Sequence, residues 1–101
     1  MSRYRYRITV EKLADAKGEA VRGQSLTFYA VNHDDILEIV EKLESRLPFD
    51  AGTAASLGVG LKLFSGVTLT YRNHPIFTDI HPALSEFIQQ LKRQPEIQPA
   101  S

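Results

Sequence analysis

Apolar and polar residues alternate strictly at the start of the chain. The two sets between Arg3 and Leu13 are Tyr4, Tyr6, Ile8 and Val10 on one side and Arg3, Arg5, Arg7 and Thr9 on the other. A period of two, with aromatic and β-branched residues throughout, is typical of a half-buried β-strand. A similar alternation over residues 25–31 predicts a second strand, and the polar, glycine-containing stretch 14–24 predicts a turn between them. We therefore expect an antiparallel hairpin.

Helical periodicity replaces this alternation after residue 31. Asn32 is the predicted N-cap of a first helix, and Asp34 and Asp35 lie in its first turn, where the helix dipole favours acidic side chains. Pro48 should end the helix. The apolar stripe of this helix is Ile36, Ile39, Val40, Leu43 and Leu47.

A second helix is expected after Asp50, the next plausible N-cap. Its predicted apolar stripe is Ala54, Leu57, Leu61 and Phe64. Beyond Phe64 the local signals conflict, because glycines at 58, 60 and 66 disfavour a helix while residues 67–71 alternate like a strand. The sequence therefore predicts helix through Phe64 and leaves residues 65–72 open between helix and strand.

A break is predicted from Arg72 to Pro75, followed by a last helix with Asp79 as its cap and Phe77 as the apolar residue before the cap. Pro82 is tolerable in the first turn. The apolar stripe of this helix is Ile80, Leu84, Phe87, Ile88 and Leu91. The expected fold is α+β: a two-stranded antiparallel hairpin and about three helices (ββααα), in one domain over residues 1–93. The tail, residues 94–101, lacks periodicity and is expected to be disordered.

Composition narrows the function classes. The chain has 101 residues, is 43% hydrophobic and 24% charged, and contains no cysteine, which excludes disulfides, thiolate zinc sites and cysteine nucleophiles. No apolar run approaches the roughly 20 residues of a membrane span, and residues 1–10 alternate arginine with tyrosine where a signal peptide would need a continuous apolar core. We expect a soluble cytoplasmic protein without a membrane partner.

Charge is balanced overall but unevenly distributed. The chain has twelve basic and twelve acidic residues and a formal net charge of zero. Its overall charge therefore does not attract nucleic acid or anionic lipid. Residues 1–12 nevertheless carry four basic and one acidic residue, while residues 32–50 carry six acidic and two basic ones. These two segments are able to neutralise each other within one fold.

Three segments resemble a known family. They are Asn32-His33-Asp34-Asp35-Ile36 with the run to Lys42, then Gly60-Leu61-Lys62-Leu63-Phe64, then Asn73-His74-Pro75-Ile76-Phe77. Together they resemble the bacterial family catalogued as domain of unknown function 3861, over the chain from the first strand to about Lys92. The resemblance implies a small bacterial protein with two strands followed by helices, and a middle segment that is helical up to about Tyr71. It implies no activity and no site residues.

Candidate chemistry is sparse. His74, Asp79 and His81 lie close in sequence, but their spacing crosses a proline and a helix start and matches no zinc signature. His33 beside two aspartates is explained by helix capping. The glycines around Gly58 and Gly60 fit neither a Walker loop nor a dinucleotide pattern, and close helix packing explains them better. No catalytic residue, cofactor site or metal site is predicted, and we expect no enzymatic activity.

The alternating arginines are the candidate interaction surface. Arginines on one face of a strand are suited to binding phosphates, as in a nucleic-acid-binding module. The residues concerned are Arg3, Arg5 and Arg7. Alternation, however, places the tyrosines on the opposite face, and the neutral net charge disfavours nucleic acid. The arginines also discourage wrong pairing at a strand edge.

An isolated hairpin is marginally stable in water, so the strands need a partner. We expect a homodimer in which hairpins of two chains join or pack together, completing the sheet. The preferred function is a non-enzymatic accessory or protein-interaction module with an unidentified protein partner. The alternatives are nucleic-acid binding through Arg3, Arg5 and Arg7, and a small metal-dependent or ligand-binding regulator that uses His74, Asp79 and His81.

Overall fold

The computed structural model describes residues 3–95, which form two compact units. The first unit ends at His33 and the second begins at Asp34. The predicted single domain over residues 1–93 stays a prediction. Most of the predicted tail, residues 96–101, lies outside the described residues.

The first unit is the predicted antiparallel hairpin. Strands β1 (Tyr4–Glu11) and β2 (Ser25–Asn32) pair over their full length, from Tyr4 opposite Asn32 to Glu11 opposite Ser25. Since directly opposed residues share a face, the register creates one apolar face and one mixed face. The apolar face carries Tyr4, Tyr6, Ile8, Val10, Leu26, Phe28 and Ala30.

The hairpin extends further toward its tip than the sequence pattern predicts. Ala14 forms a bridge with Ala20, and the turn between them is fixed by the Asp15 carboxylate, which accepts the amides of Lys17 and Glu19, both at 2.9 Å. Gly18 has a φ of +84°, the left-handed conformation that glycine adopts without strain. The hydrogen bonds of Asp15 and the conformation of Gly18, rather than strand propensity, therefore account for the pairing of Ala14 with Ala20.

The second unit begins with helix α1 (Ile36–Arg46), whose N-cap is Asp35. The Asp35 carboxylate accepts the amides of Leu37 and Glu38 at 3.1 and 3.4 Å. The prediction that Asn32 caps this helix is wrong, because Asn32 is the last residue of β2 and pairs with Tyr4. Both residues are good caps, and only the length of the strand ladder decides between them.

Helix α2 (Ala51–Thr70) begins at the predicted cap, Asp50. Hydrogen bonds from the Thr53 side chain and from its backbone amide, the latter at 2.7 Å, hold the pKa of the Asp50 carboxyl below its usual value. The helix does not end at Phe64 but continues to Thr70, which settles residues 65–70 as helix. The hydroxyls that suggested a strand are satisfied within the helix: Thr68 donates to the Ser65 carbonyl and Thr70 to the Gly66 carbonyl, both at 2.9 Å.

The core of the second unit lies between α1 and α2. Ile36 and Leu43 of α1 are buried, as is the small-residue side of α2, formed by Ala54, Gly58, Ser65 and Thr68. A side chain at Gly58 would meet the Val40 Cγ2 atom at 2.9 Å, so the absent Cβ allows the close approach. The predicted stripe is wrong at Phe64, which is exposed, and the packing explanation is wrong for Gly60, which has open space around it.

Two further helices complete the unit. A single turn, α3 (Pro75–Thr78), is capped by the Nδ1 atom of His74, which accepts the Ile76 amide at 3.2 Å, and α4 (Ile80–Arg93) follows Asp79. The predicted break from Arg72 to Pro75 is therefore one residue too long, because Pro75 is the first residue of α3. Proline is well suited to a first helical position. Asp79 occupies the predicted cap position but makes no capping hydrogen bond, and Phe77 lies in α3. The α+β class and the order of hairpin then helices are confirmed, with four helices in the described chain.

Candidate interaction surfaces

The open edge of β2 is the first candidate surface. The amide of Lys12 donates to the Gln24 carbonyl at 2.9 Å, so this pair is hydrogen-bonded within the hairpin. In an antiparallel ladder such pairs alternate with pairs whose backbone groups point outward. The register then assigns the outward N–H and C=O groups of β2 to Ser25, Thr27, Tyr29 and Val31.

The two edges of the hairpin differ in charge. Over residues 3–95 the sheet has two strands, so neither edge pairs with a third strand. The outward-pointing residues of β1 include Arg5 and Arg7, whereas β2 carries no charged residue over its eight positions. Charged side chains on an edge strand discourage pairing with a strand of another chain. The arginines therefore protect the β1 edge, and the β2 edge is the one suited to such pairing.

The apolar face of the hairpin is partly exposed. Tyr6, Ile8 and Ala30 are half-buried, but Val10 is 59% and Leu26 is 61% exposed. These two residues are opposite each other near the turn end. This pair therefore leaves the turn end of the apolar face exposed.

The predicted arginine surface lies on the mixed face. Register places Arg5 and Arg7 opposite Val31 and Tyr29, and Arg3 precedes β1 and is exposed. The Arg7 guanidinium lies over the Tyr29 ring, 5.8 Å from its centre, in cation–π geometry. The expectation that the β1 tyrosines and the arginines lie on different faces of the strand is correct. The sequence pattern did not indicate that Tyr29 of β2 places an aromatic ring on the arginine face.

Helix α2 carries the second candidate surface. Apolar residues occur all round this helix, so its sequence pattern does not define a single buried face. Three exposed residues of α2 at helical spacing and its C-cap residue form an exposed stripe, which we call the α2 stripe: Gly60, Phe64, Val67 and the cap Tyr71. Such a stripe suits contact with an apolar side of another molecule.

The three candidate histidines lie at the ends of different secondary-structure elements. His74 caps α3 through Nδ1, its ring lies 6.3 Å from the Phe77 ring, and His33 is exposed after β2. His81 is in the first turn of α4 and has a buried Nε2 atom without a hydrogen-bond partner among residues 3–95. Within that range, no three His, Cys, Asp or Glu side chains are grouped so as to hold a metal ion, and His74, Asp79 and His81 form no such group.

Comparison with known proteins agrees with this architecture. Residues 4–93 match the model of the family described as "Domain of Unknown Function with solved-structure structure (DUF3861)". The chain belongs to this family. Among solved structures, the chain is similar to the crystal structure of a protein of unknown function (eca1910) from Pectobacterium atrosepticum SCRI1043, with 31% sequence identity. The match covers 90% of this chain and 98% of that one, with a TM-score of 0.78.

The family resemblance noted from the sequence is thus confirmed for this DUF3861 chain, including a helix that extends to the neighbourhood of Tyr71. None of the curated proteins matches it. No helix among the described residues combines the length and hydropathy that crossing a bilayer requires.

Proposed function

We propose that this small bacterial protein is a non-enzymatic interaction module of the cytoplasm that works as a homodimer joined through the β2 edges. The observation that carries the proposal is the open, uncharged edge of β2 beside the arginine-guarded edge of β1. A chain without cysteine suits a reducing compartment.

A second copy is the occupant that this edge fits best. Two β2 strands related by a two-fold axis at Phe28 would pair residues 25–31 of one chain with the same residues of the other. Symmetry makes such an interface self-complementary, as in most homodimers. Pairing through β1 would instead bring Arg5 and Arg7 of two chains together, which is unfavourable for like charges.

The resulting four-stranded sheet would have the stability that a lone hairpin lacks. A two-fold axis perpendicular to the sheet keeps the apolar faces of both hairpins on one side. The exposed Val10 and Leu26 of each chain would then belong to one wider apolar surface. That surface is where a protein partner of an accessory module would bind.

Proline substitution at matched positions tests the dimer. Thr9 and Thr27 are opposed, with their hydroxyl oxygens 3.0 Å apart, and both have outward N–H groups. Proline at either position removes an outward donor and the same Thr–Thr contact without breaking a bond of the hairpin ladder. Only Thr27→Pro removes donors from the proposed interface, two per dimer, which should raise the dimer Kd roughly 30-fold.

Sedimentation equilibrium gives the result directly. The wild-type chain and Thr9→Pro should sediment at micromolar concentration with twice the 11.3 kDa mass of one chain, while Thr27→Pro should dissociate. A monomeric wild-type protein, or a loss of association in Thr9→Pro equal to that in Thr27→Pro, would contradict the proposal.

Nucleic-acid binding is the second candidate, favoured by the Arg7–Tyr29 pair on an exposed face. It is weaker, because Glu11 lies on the same face and Arg7 is already engaged with the ring. The wild-type chain should give no salt-sensitive gel shift with single-stranded RNA or DNA. A shift at low salt that is lost on replacing Arg3, Arg5 and Arg7 by alanine would favour this candidate instead.

A further inference from the structure

A cavity lies within the helical unit, between α1, α2 and α4. Its volume is about 350 Å³, at the lower end of the range for small-molecule sites. The lining residues are Ile39, Lys42, Leu43, Arg46, Leu61, Lys62, Ile88, Leu91 and Lys92. The cavity therefore has an aliphatic wall built from all three long helices and a set of four cationic side chains.

The cations differ in how they are neutralised. Lys42 pairs with Glu38 at 3.2 Å on the same helix, and Lys62 pairs with Asp34. Arg46 and Lys92, from α1 and α4, form no ion pair with the described acidic residues. No acidic residue lines the cavity, so its local charge is positive although the chain as a whole is neutral.

Arg46 is the unpaired cation best suited to an anionic ligand. Its side chain lines the cavity and forms no ion pair with the described acidic residues. Its Nε atom is shielded from solvent, so a bound molecule would meet the terminal nitrogens of the guanidinium. The acceptor that matches a guanidinium best is an oxyanion, above all a carboxylate.

We infer that the cavity binds a medium-chain carboxylate, with its alkyl chain among the aliphatic side chains and its head group held by Arg46 and Lys92. At about 350 Å³ the cavity is at the small end of the range for ligand sites, which suits a single medium-length alkyl chain rather than a large ligand. This inference concerns the helical unit and does not depend on the proposed dimer of hairpins.

Calorimetric titration of the full chain tests the assignment with three probes of equal chain length below their micelle concentrations: decanoate, 1-decanol and decyltrimethylammonium. Decanoate should bind best and the cation worst. From hexanoate to decanoate the Kd should fall by up to about fourfold per methylene, and it should level off once the chain exceeds the cavity.

Matched variants locate the site. Arg46→Met keeps an unbranched stem of similar shape and should weaken decanoate binding about tenfold without changing the affinity for 1-decanol. Lys92→Met provides an independent variant on the opposite helix and should act in the same direction. Arg93→Met is the control, because Arg93 is adjacent on α4, bonds to Gln89 at 3.2 Å and does not line the cavity.

Several results would overturn the inference. Equal affinity for decanoate and decyltrimethylammonium would remove the role of the cations. Equal losses in Arg46→Met and Arg93→Met would show a general charge effect rather than a site. Binding to anionic phospholipid vesicles without binding of free decanoate would assign these cations to a membrane surface instead.

Discussion

Replacing Leu43 by alanine should lower the free energy of unfolding by about 3 kcal/mol. Leu43 is 5% exposed and lies on the side of α1 that packs against α2. Truncation removes buried methyl groups and enlarges the neighbouring cavity, since Leu43 already lines it. In a domain with a total stability of about 5–15 kcal/mol, such a loss is a large share.

Leu37 provides the matched control on the same helix. It is 71% exposed, so Leu37→Ala should change the free energy of unfolding by less than about 0.5 kcal/mol. Urea denaturation followed by circular dichroism measures both, with unchanged slopes as the check that stability alone has changed. Similar losses for the two variants would mean that α1 does not pack through the side that contains Leu43.

The second large effect is expected at Gly58. A Cβ there would lie 2.9 Å from Val40 Cγ2 and 3.2 Å from Leu43 Cδ1, and Val40 is a stiff, β-branched side chain. Gly58→Leu should therefore destabilise the protein by about 2 kcal/mol, because overpacking outweighs the gain in helix propensity. The expected outcome is a lower urea midpoint and separation of α1 from α2.

Gly60, two residues further along α2, should respond with the opposite sign. A Cβ at Gly60 meets no atom within 4 Å, so Gly60→Ala should stabilise the protein by about 0.5–1 kcal/mol through helix propensity alone. Opposite signs at two glycines of one helix are a sensitive test of which side contacts α1. A stabilising Gly58→Leu would show that the two helices do not approach each other here.

The order of secondary-structure elements was predictable from the sequence because each carries its own period. The alternation from Tyr4 to Val10 has a period that a helix does not produce, and Asp50 was a plausible cap that the structure confirms. Asn32 misled because strand pairing extends one residue further than the alternation indicates. A residue that suits both a strand end and a cap is assigned only by its partner on the other strand.

Helix α2 could not be oriented from the sequence for a related reason. Apolar residues occur on every side, so period alone does not identify the buried face. The structure selects the side with the smallest residues, such as Ala54 and Gly58, because it permits the closest approach to α1. Phe64, the largest residue of the predicted stripe, is excluded from that contact for the same reason.

The interaction surfaces were partly visible in the sequence. That β2 is uncharged can be seen directly in residues 25–32, but which backbone groups point outward depends on the register. The pairing of Arg7 with Tyr29 also depends on register, since the residues are 22 positions apart. The cavity combines residues from three helices, and no sequence pattern predicts that convergence.

Residue-resolved amide hydrogen exchange tests the central claim, that β2 provides the dimer edge. The outward amides to compare are those of Thr27, Tyr29 and Val31 on β2 and those of Arg5, Arg7 and Thr9 on β1. At concentrations above the dimer Kd, we expect the β2 set to exchange at least about tenfold more slowly than the β1 set, and this protection should be lost on dilution. Equal exchange at the two edges at every concentration, or protection of the β1 edge instead, would contradict the account.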